Sequence, residues 1–333
     1  MFLSKHSNGT YYLFYNQFNG KRTCVSTKTP NKSKALEFLQ TFKMKSDEEI
    51  KSGIKQISFN AYSFEFLKYS ESVHSWNTTK TFRSTFNEFQ KNYGDIDLSA
   101  ITQRELSKYF ENRIRNISVY SARKDQINLS SMFTKAVSDG YLLINPCAGI
   151  KRIKIPEKQP RYFSFEEFQY IIDNIADNDI KDLCVFAVNT GLRQMELITL
   201  EWNQIDLINR IVLLDNRNHL TKSKKVRSIP INNKALQILQ QRMGLKDQKV
   251  FTIEGNEITQ KSISNRFRRL MRKLGMRKGL NFHSLRHSFA SWLVQKDVPI
   301  YVISKLLGHS NLSTTEIYTH LRGKDLQSAV DLI

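Results

Sequence analysis

Near its C-terminus the chain reads His283-Ser284-Leu285-Arg286-His287, then Leu307-Gly308-His309, with Tyr318 nine residues beyond His309. Upstream stands Thr190-Gly191-Leu192-Arg193. Arginines, histidines and one tyrosine in this order suit one chemistry, the attack of a phenol on a phosphodiester. Such a phosphodiester passes through a five-coordinate species with added charge on its non-bridging oxygens. Planar guanidinium forks match those oxygens and cannot lose their charge. Arg193 and Arg286 fit that clamp, and His309 adds a hydrogen bond to the same oxygens. Preorganised donors of this kind usually supply the largest catalytic contribution. Tyr318 is the candidate nucleophile. A free phenol titrates near about 10, so it needs a base and an electropositive surround. His283 is the natural base, able to return the proton when the phosphotyrosine is broken.

The plainer readings are weighed residue by residue. Arg193 alone would be a surface arginine, and Tyr318 alone a core or interface tyrosine. His283 and His287 have the i, i+4 spacing of a helical zinc pair. Ser284 stands where the metalloprotease motif has glutamate, however, and Arg286 would repel a cation, so no metal is expected. His287 reads as a structural hydrogen-bonder, and His219 and His320 as bystanders.

In order and spacing, three segments together resemble the tyrosine recombinase (phage integrase) family. They are Thr190-Gly191-Leu192-Arg193-Gln194-Met195-Glu196-Leu197, His283-Ser284-Leu285-Arg286-His287-Ser288-Phe289-Ala290, and Leu306-Leu307-Gly308-His309-Ser310 with Thr314-Thr315 and Tyr318. The resemblance covers residues 160–320 and implies a helical core-binding domain ahead of the catalytic one. It implies cleavage and rejoining of DNA strands through a 3′-phosphotyrosyl intermediate, with no ATP, and the sequence has no P-loop pattern. It places a lysine acid on a hairpin, where Lys222 stands and Lys224 is the alternative. It gives Glu196 a buttressing part. It offers Trp292 as a phosphate contact, against core packing with Phe289 and Leu293. It implies a homotetramer on paired sites in double-stranded DNA, the two domains clamping the duplex, with accessory DNA-bending or excision factors as further partners and no cofactor. The family usually has glycine in the turn before Val298-Pro299-Ile300, where this chain has Lys296-Asp297. Aspartate tolerates the left-handed conformation better than most residues, so a modest stability cost and intact chemistry are expected.

The elements that position these residues follow from composition and periodicity. The 333 residues carry 51 Lys plus Arg against 31 Asp plus Glu, a formal charge of +20. A surplus that large repels itself unless a polyanion is at hand, and nucleic acid is the commonest one. No apolar run reaches the ~18 residues of a spanning helix, and residues 1–6 lack the apolar core of a signal peptide. Cys24, Cys147 and Cys184 have neither disulfide nor zinc spacing. These features predict a cytoplasmic, nucleoid-associated protein without membrane partners.

The pattern predicts a multidomain, mainly α chain with small β-sheets: a helical core-binding domain and a mixed α/β catalytic domain. Residues 1–50 read as a strand-strand-helix module, with Asn19-Gly20 as its turn; it is a candidate for binding separate arm sites on DNA. Residues 57–148 read as four or five helices. Phe59, Tyr62, Phe66 and Tyr69, then Phe82, Phe86, Phe89 and Tyr93, recur at helical spacing, and Thr102 with Glu105 forms a capping box. Residues 149–161 form a basic, proline-containing linker that includes Lys151, Arg152 and Lys154. The catalytic domain spans 162–333. Its expected elements are helices at 164–176, opened by a Ser164–Glu167 box, and 179–189, strands at 211–214 and 226–231 flanking the lysine hairpin, and a helix at 264–274. On that last helix Phe267, Leu270, Met271 and Leu274 form the apolar face. Arg266, Arg268, Arg269, Arg272 and Lys273 lie mostly opposite, as a candidate phosphate-contacting surface. Leu326, Ala329, Val330 and Ile333 share one helical face, which suits docking on a neighbouring protomer or packing at home.

The expected function is that of a site-specific recombinase, and the N-terminal module points towards the integrase of a mobile element. The alternatives are a chromosome- or plasmid-resolving recombinase, a topoisomerase-like enzyme with the same chemistry, and a non-catalytic DNA-binding regulator.

Overall fold

The structure is a computed structural model that describes residues 1–16, 22–52, 55–157, 159–214, 226–244, 248–321 and 330–331. The chain divides into two compact units, Met1–Pro156 and Glu157–Ile333.

The first unit opens with a three-stranded antiparallel sheet, β1 (Phe2–Lys5), β2 (Tyr11–Asn16) and β3 (Arg22–Ser26), followed by helix α1 (Lys32–Ser52). The two-strand reading omits β1, whose four residues are mostly exposed and carry no alternation to detect. Leu13 and Ala35 are fully buried between sheet and helix. The expected turn at Asn19-Gly20 lies outside the described residues.

Four helices make up the remainder: α2 (Phe59–Val73), α3 (Trp76–Tyr93), α4 (Gln103–Asn116) and α5 (Val119–Ser138). Each begins where a hydroxyl side chain accepts a backbone N–H of the first turn: Ser58, Ser75, Thr102 and Ser118. Such caps satisfy donors that have no intrahelical partner. The predicted aromatics become the core. Phe66 meets Phe82 edge-on at 5.0 Å, and Phe59 lies 4.7 Å from Phe89. Tyr69, by contrast, is exposed. Beneath the rings lies Asp125, fully buried. Its carboxylate accepts from Thr85 at 2.7 Å, Tyr109 at 3.1 Å and Arg113 Nε at 2.8 Å. The start of the basic segment belongs to this unit. Gln126 bonds both the Lys151 carbonyl and the Ile153 amide, and Ile150 and Ile153 pack on the helical core.

In the second unit α6 (Phe165–Asn174) and α7 (Asn178–Thr190) precede the short helix α8 (Gln194–Ile198). A second antiparallel sheet runs β4 (Ile205–Asp206), β5 (Ile211–Leu214), β6 (Arg227–Pro230). Then come α9 (Asn233–Arg242), α10 (Gln260–Lys273), α11 (Ser284–Gln295), α12 (Ile300–Leu307) and α13 (Ser313–Glu316). The Ser164–Glu167 capping box forms as predicted, at 3.1 and 2.9 Å. The main core runs from Phe163 to Leu285, and a smaller apolar cluster joins α11, α12 and Tyr318. Asp297 adopts a left-handed φ of 57°, as its place in the usual glycine turn requires. The C-terminal positions Leu326, Ala329 and Ile333 lie outside the described residues, and Val330 is exposed.

Candidate active site

Four chain segments converge on the C-terminal end of α12. Helix α7 stops at Gly191, whose φ of 63° is left-handed. A Cβ there would fall 2.4 Å from the Phe289 ring of α11, so glycine allows both the turn and the close approach. The turn delivers Arg193 to the start of α8. One turn on, the Glu196 carboxylate accepts from the Arg193 amide at 2.8 Å and from its Nη1 at 2.9 Å. Helix α11 supplies Arg286 and His287 from its first turn, with His283 just before it. Helix α12 ends at Gly308, also left-handed, and the turn carries His309.

The carbonyls at that helix end are claimed by guanidinium groups. Arg286 Nη2 and Arg227 Nη1 each donate to the Leu307 carbonyl at 2.7 Å, occupying both its lone pairs. Arg193 Nη2 donates to the Gly308 carbonyl at 3.0 Å, and Arg286 Nη1 to the Gly191 carbonyl at 2.6 Å. A helix C-terminus carries partial negative charge, so cations suit it. Gly308 also clears the way: a Cβ there would collide with the Arg227 guanidinium.

His309 is oriented from both sides. Its Nε2 lies 3.1 Å from Arg286 Nη2 and its Nδ1 2.7 Å from Thr315 Oγ1. Arginine can only donate, so Nε2 accepts and the ring proton sits on Nδ1, pointing to Thr315. Tyr318 is 2 % exposed, and its hydroxyl lies 2.6 Å from His287 Nδ1. His283 is solvent-exposed, and its ring stands edge-on to that of His287 at 4.8 Å.

The charge balance is uneven. Three guanidinium groups, Arg193, Arg227 and Arg286, meet one carboxylate, Glu196, among the described residues. Burial alone would raise Glu196, but Arg227 and Arg193 outweigh it and hold the carboxyl below its usual range. Burial, then repulsion from Arg193, pushes Arg286 down to about 9. Burial and neighbouring cationic or histidine groups push His287 and His309 down to about 4. The same causes lower His283. Burial raises the Tyr318 phenol to about 12. Burial leads the shifts of Arg286, the histidines and Tyr318; the surplus of positive charge adds to those of Arg286 and the histidines, lowers Glu196, and pulls against burial at Tyr318.

Arg193, Glu196, Arg286 and His309 thus lie in one bonded group, while Tyr318, His287 and His283 form a second set on which Arg286 acts through its charge. Lys222 and Lys224 lie outside the described residues. Arg266, Arg269 and Arg272 are exposed on the face of α10 opposite the buried Phe267 and Met271. Lys151, Arg152 and Lys154 are exposed in the first unit. The Trp292 indole N–H donates to the Phe163 carbonyl at 2.9 Å, and its ring stacks on Phe165 at 4.1 Å. Two contributors escaped the sequence reading. Arg227 bonds Glu196 at 2.7 Å, and its Nε is buried without a partner among the described residues. In the sequence it is one cation after a run of lysines. Thr315 stands in the third motif segment, but nothing in the sequence says that its hydroxyl meets His309.

A sequence profile of the phage integrase family matches residues 161–324, and one of the phage integrase SAM-like domain matches 57–154. A tyrosine recombinase XerC-like protein of Caldanaerobacter subterraneus subsp. tengcongensis is 31 % identical over 289 residues, 72 % of each chain. The chain belongs to the tyrosine recombinase family. The recombinase is therefore an enzyme that cuts and rejoins DNA strands in site-specific recombination, and its partner is DNA. Tyrosine recombinase XerC of Haemophilus ducreyi is 33 % identical over 214 residues, 61 % of this chain and 69 % of that one. In fold, the recombinase is similar to a lambda integrase solved as a dimer on a COC′ core site. That likeness has a TM-score of 0.68 at 19 % identity and covers 97 % of this chain and 95 % of the other. The Tn1549 transposon integrase, solved with a circular intermediate DNA, matches with a TM-score of 0.70 at 19 % identity over 83 % of this chain and 100 % of that chain. No helix among the described residues is long and apolar enough to cross a membrane.

Proposed function

We propose that the recombinase integrates or excises a mobile element. Tyr318 attacks one scissile phosphate to give a 3′-phosphotyrosyl enzyme and a free 5′-hydroxyl. Arg193 and Arg286 hold the non-bridging oxygens, and His309 joins them as a donor once the phosphate draws Arg286 away from its Nε2 and the ring takes up a proton. His283 serves acid–base chemistry from the solvent side. Lys222, with Lys224 as alternative, protonates the leaving 5′-oxygen. Glu196 buttresses Arg193. The supporting observation is the gathering of three guanidinium groups around one carboxylate beside a buried tyrosine, which leaves two positive charges in surplus. A phosphodiester offsets one, and the added charge of its five-coordinate species offsets the other.

Around this chemistry we place a homotetramer on paired sites in double-stranded DNA, working in the cytoplasm with accessory bending or excision factors. Lys151, Arg152, Lys154, Arg266, Arg269 and Arg272 are proposed to contact the backbone. The sheet β1–β3 with α1, which lies ahead of the SAM-like match beginning at residue 57, is proposed to bind arm sites. The XerC relatives favour a second reading, a chromosome- or plasmid-resolving recombinase. Deleting residues 1–50 separates the two. An integrase keeps core-site binding and loses integration, whereas equal loss of both would rule out a separate arm-site role.

Denaturing the protein after incubation with the DNA that flanks its own coding sequence tests the chemistry. Wild type should carry DNA covalently at a 3′ end. Tyr318→Phe should bind with unchanged affinity and carry none. Tight binding without any adduct in wild type would leave a non-catalytic DNA-binding protein.

A further inference from the structure

The nucleophile's hydroxyl has one hydrogen-bond partner among the described residues, and it is His287. The 2.6 Å contact joins a reacting atom to an imidazole nitrogen. For the phenol to donate, Nδ1 must be unprotonated, which puts the ring proton on Nε2. The surroundings keep the ring neutral, which that bond requires. His283 and Arg286 face the ring from its own helix, His309 from the turn after α12, and Tyr318 from beyond α13. Burial and these neighbours hold His287 neutral down to about pH 4. A neutral imidazole already bonded to a phenol is poised to take its proton. Burial is the larger cause; the part due to repulsion from Arg286 is relieved when a phosphate enters and offsets that guanidinium. The base therefore strengthens when substrate is in place.

We propose that His287 is a catalytic residue, the direct proton acceptor for Tyr318. The Tyr318 O–H bond breaks and its proton passes to His287 Nδ1. The freed oxygen lone pair bonds phosphorus, and the P–O5′ bond breaks with its electron pair on the 5′-oxygen, which the hairpin lysine protonates. In the reverse step the incoming 5′-hydroxyl gives its proton to that lysine and bonds phosphorus, the bond from phosphorus to Tyr318 breaks, and the departing phenolate recovers its proton from the His287 imidazolium. His283, in ring contact with His287 and exposed, is the outer member of the pair. This assignment rests on Tyr318 being the nucleophile.

The test is the single-turnover rate of covalent adduct formation, from pH 6 to pH 9, on duplex DNA flanking the protein's own coding sequence. His287→Gln keeps a hydrogen-bonding side chain but cannot accept a proton. It should fold and bind DNA as wild type does and form adduct about 10²–10⁴-fold more slowly at pH 7. That deficit should shrink as pH rises, because tyrosinate then forms without a base. A deficit that stays constant with pH would reduce His287 to a structural part. A His287→Gln or His287→Phe protein that forms adduct at the wild-type rate or faster would show that His287 merely stows the phenol. Both results overturn the proposal and leave the nucleophile intact, whereas a wild type without adduct overturns the nucleophile and the proposal with it.

Discussion

Each unit buries a charged network, and the two are built to opposite ends. In the helical unit Asp125 has no exposed surface, and Arg113, Tyr109 and Thr85 all bond to it. Arg113 also pairs with Glu88 at 3.1 Å, and Lys124 lies 3.5 Å from Asp125, so two carboxylates meet two cations and the charges balance. Around α12 three guanidinium groups share one carboxylate, and backbone carbonyls take much of what remains. Carbonyls satisfy hydrogen bonds but do not cancel charge. The first network therefore serves the fold, while the second keeps a standing demand for an anion and depresses every histidine beside it. Buried polar groups alone do not mark an active site. An uncompensated charge held by preorganised donors does.

Breaking the closed network should cost the most free energy. Asp125→Ala leaves Arg113 with Glu88 alone, takes the acceptor from Thr85 and Tyr109, and should destabilise the protein by about 3–5 kcal/mol. Chemical denaturation would show this, with adduct formation per folded molecule unchanged. A matching loss of single-turnover rate would blur the distinction between the two networks. Arg286→Lys strikes the open network. An ammonium has three donors on one atom and cannot span the Gly191 and Leu307 carbonyls, His309 and a phosphate oxygen together, so cleavage should fall about 10²–10³-fold with DNA affinity retained. Arg227→Lys leaves the charge but not the fork that joins Glu196 to the Leu307 carbonyl. About a tenfold slower cleavage is expected, the size of losing one modest hydrogen bond, ~1.4 kcal/mol. Full activity there would show that the buttress is dispensable.

Acid probes the same surplus. His287 and His309 titrate at about 4 in the folded protein against 6.5 when free. Below pH 6.5 the unfolded chain binds more protons at these two rings than the folded one, so their contribution to stability should decline from pH 6.5 to 4, and protonation of Glu196, whose carboxyl is held low, continues the decline beneath. His309→Gln should flatten that slope in melting curves. A wild-type stability that rises on acidification would contradict the assigned states. The smallest effect belongs to Asp297→Gly, which relieves the left-handed turn and should shift stability by less than about 1 kcal/mol while leaving cleavage untouched.

What could be read from the chain follows the range of the forces involved. The capping boxes at Thr102–Glu105 and Ser164–Glu167 are local hydrogen bonds, visible as spacing. The apolar face of α10 is a periodicity, and Phe267 and Met271 are buried as it requires. Arg193, Arg286, His309 and Tyr318 stand out because their motifs are short and chemically specific. The misses are tertiary. Nothing local marks Arg227 as the partner of Glu196, or says that the phenol of Tyr318 would choose Nδ1 of His287, far back in the chain. Trp292 had two local readings, and only the place of the Phe163 carbonyl decided what its N–H bonds. Strand β1 exists because β2 offers it an edge, which four exposed residues cannot announce.

Mapping the DNA-linked residue tests the central claim most directly. After trapping on DNA, nuclease and protease digestion followed by mass spectrometry should find the residual nucleotide on the peptide bearing Tyr318, and on none of the other tyrosines among the chain's 13. A nucleotide on any other residue would mean that the surplus of charge around α12 does not mark the site where the strand is cut.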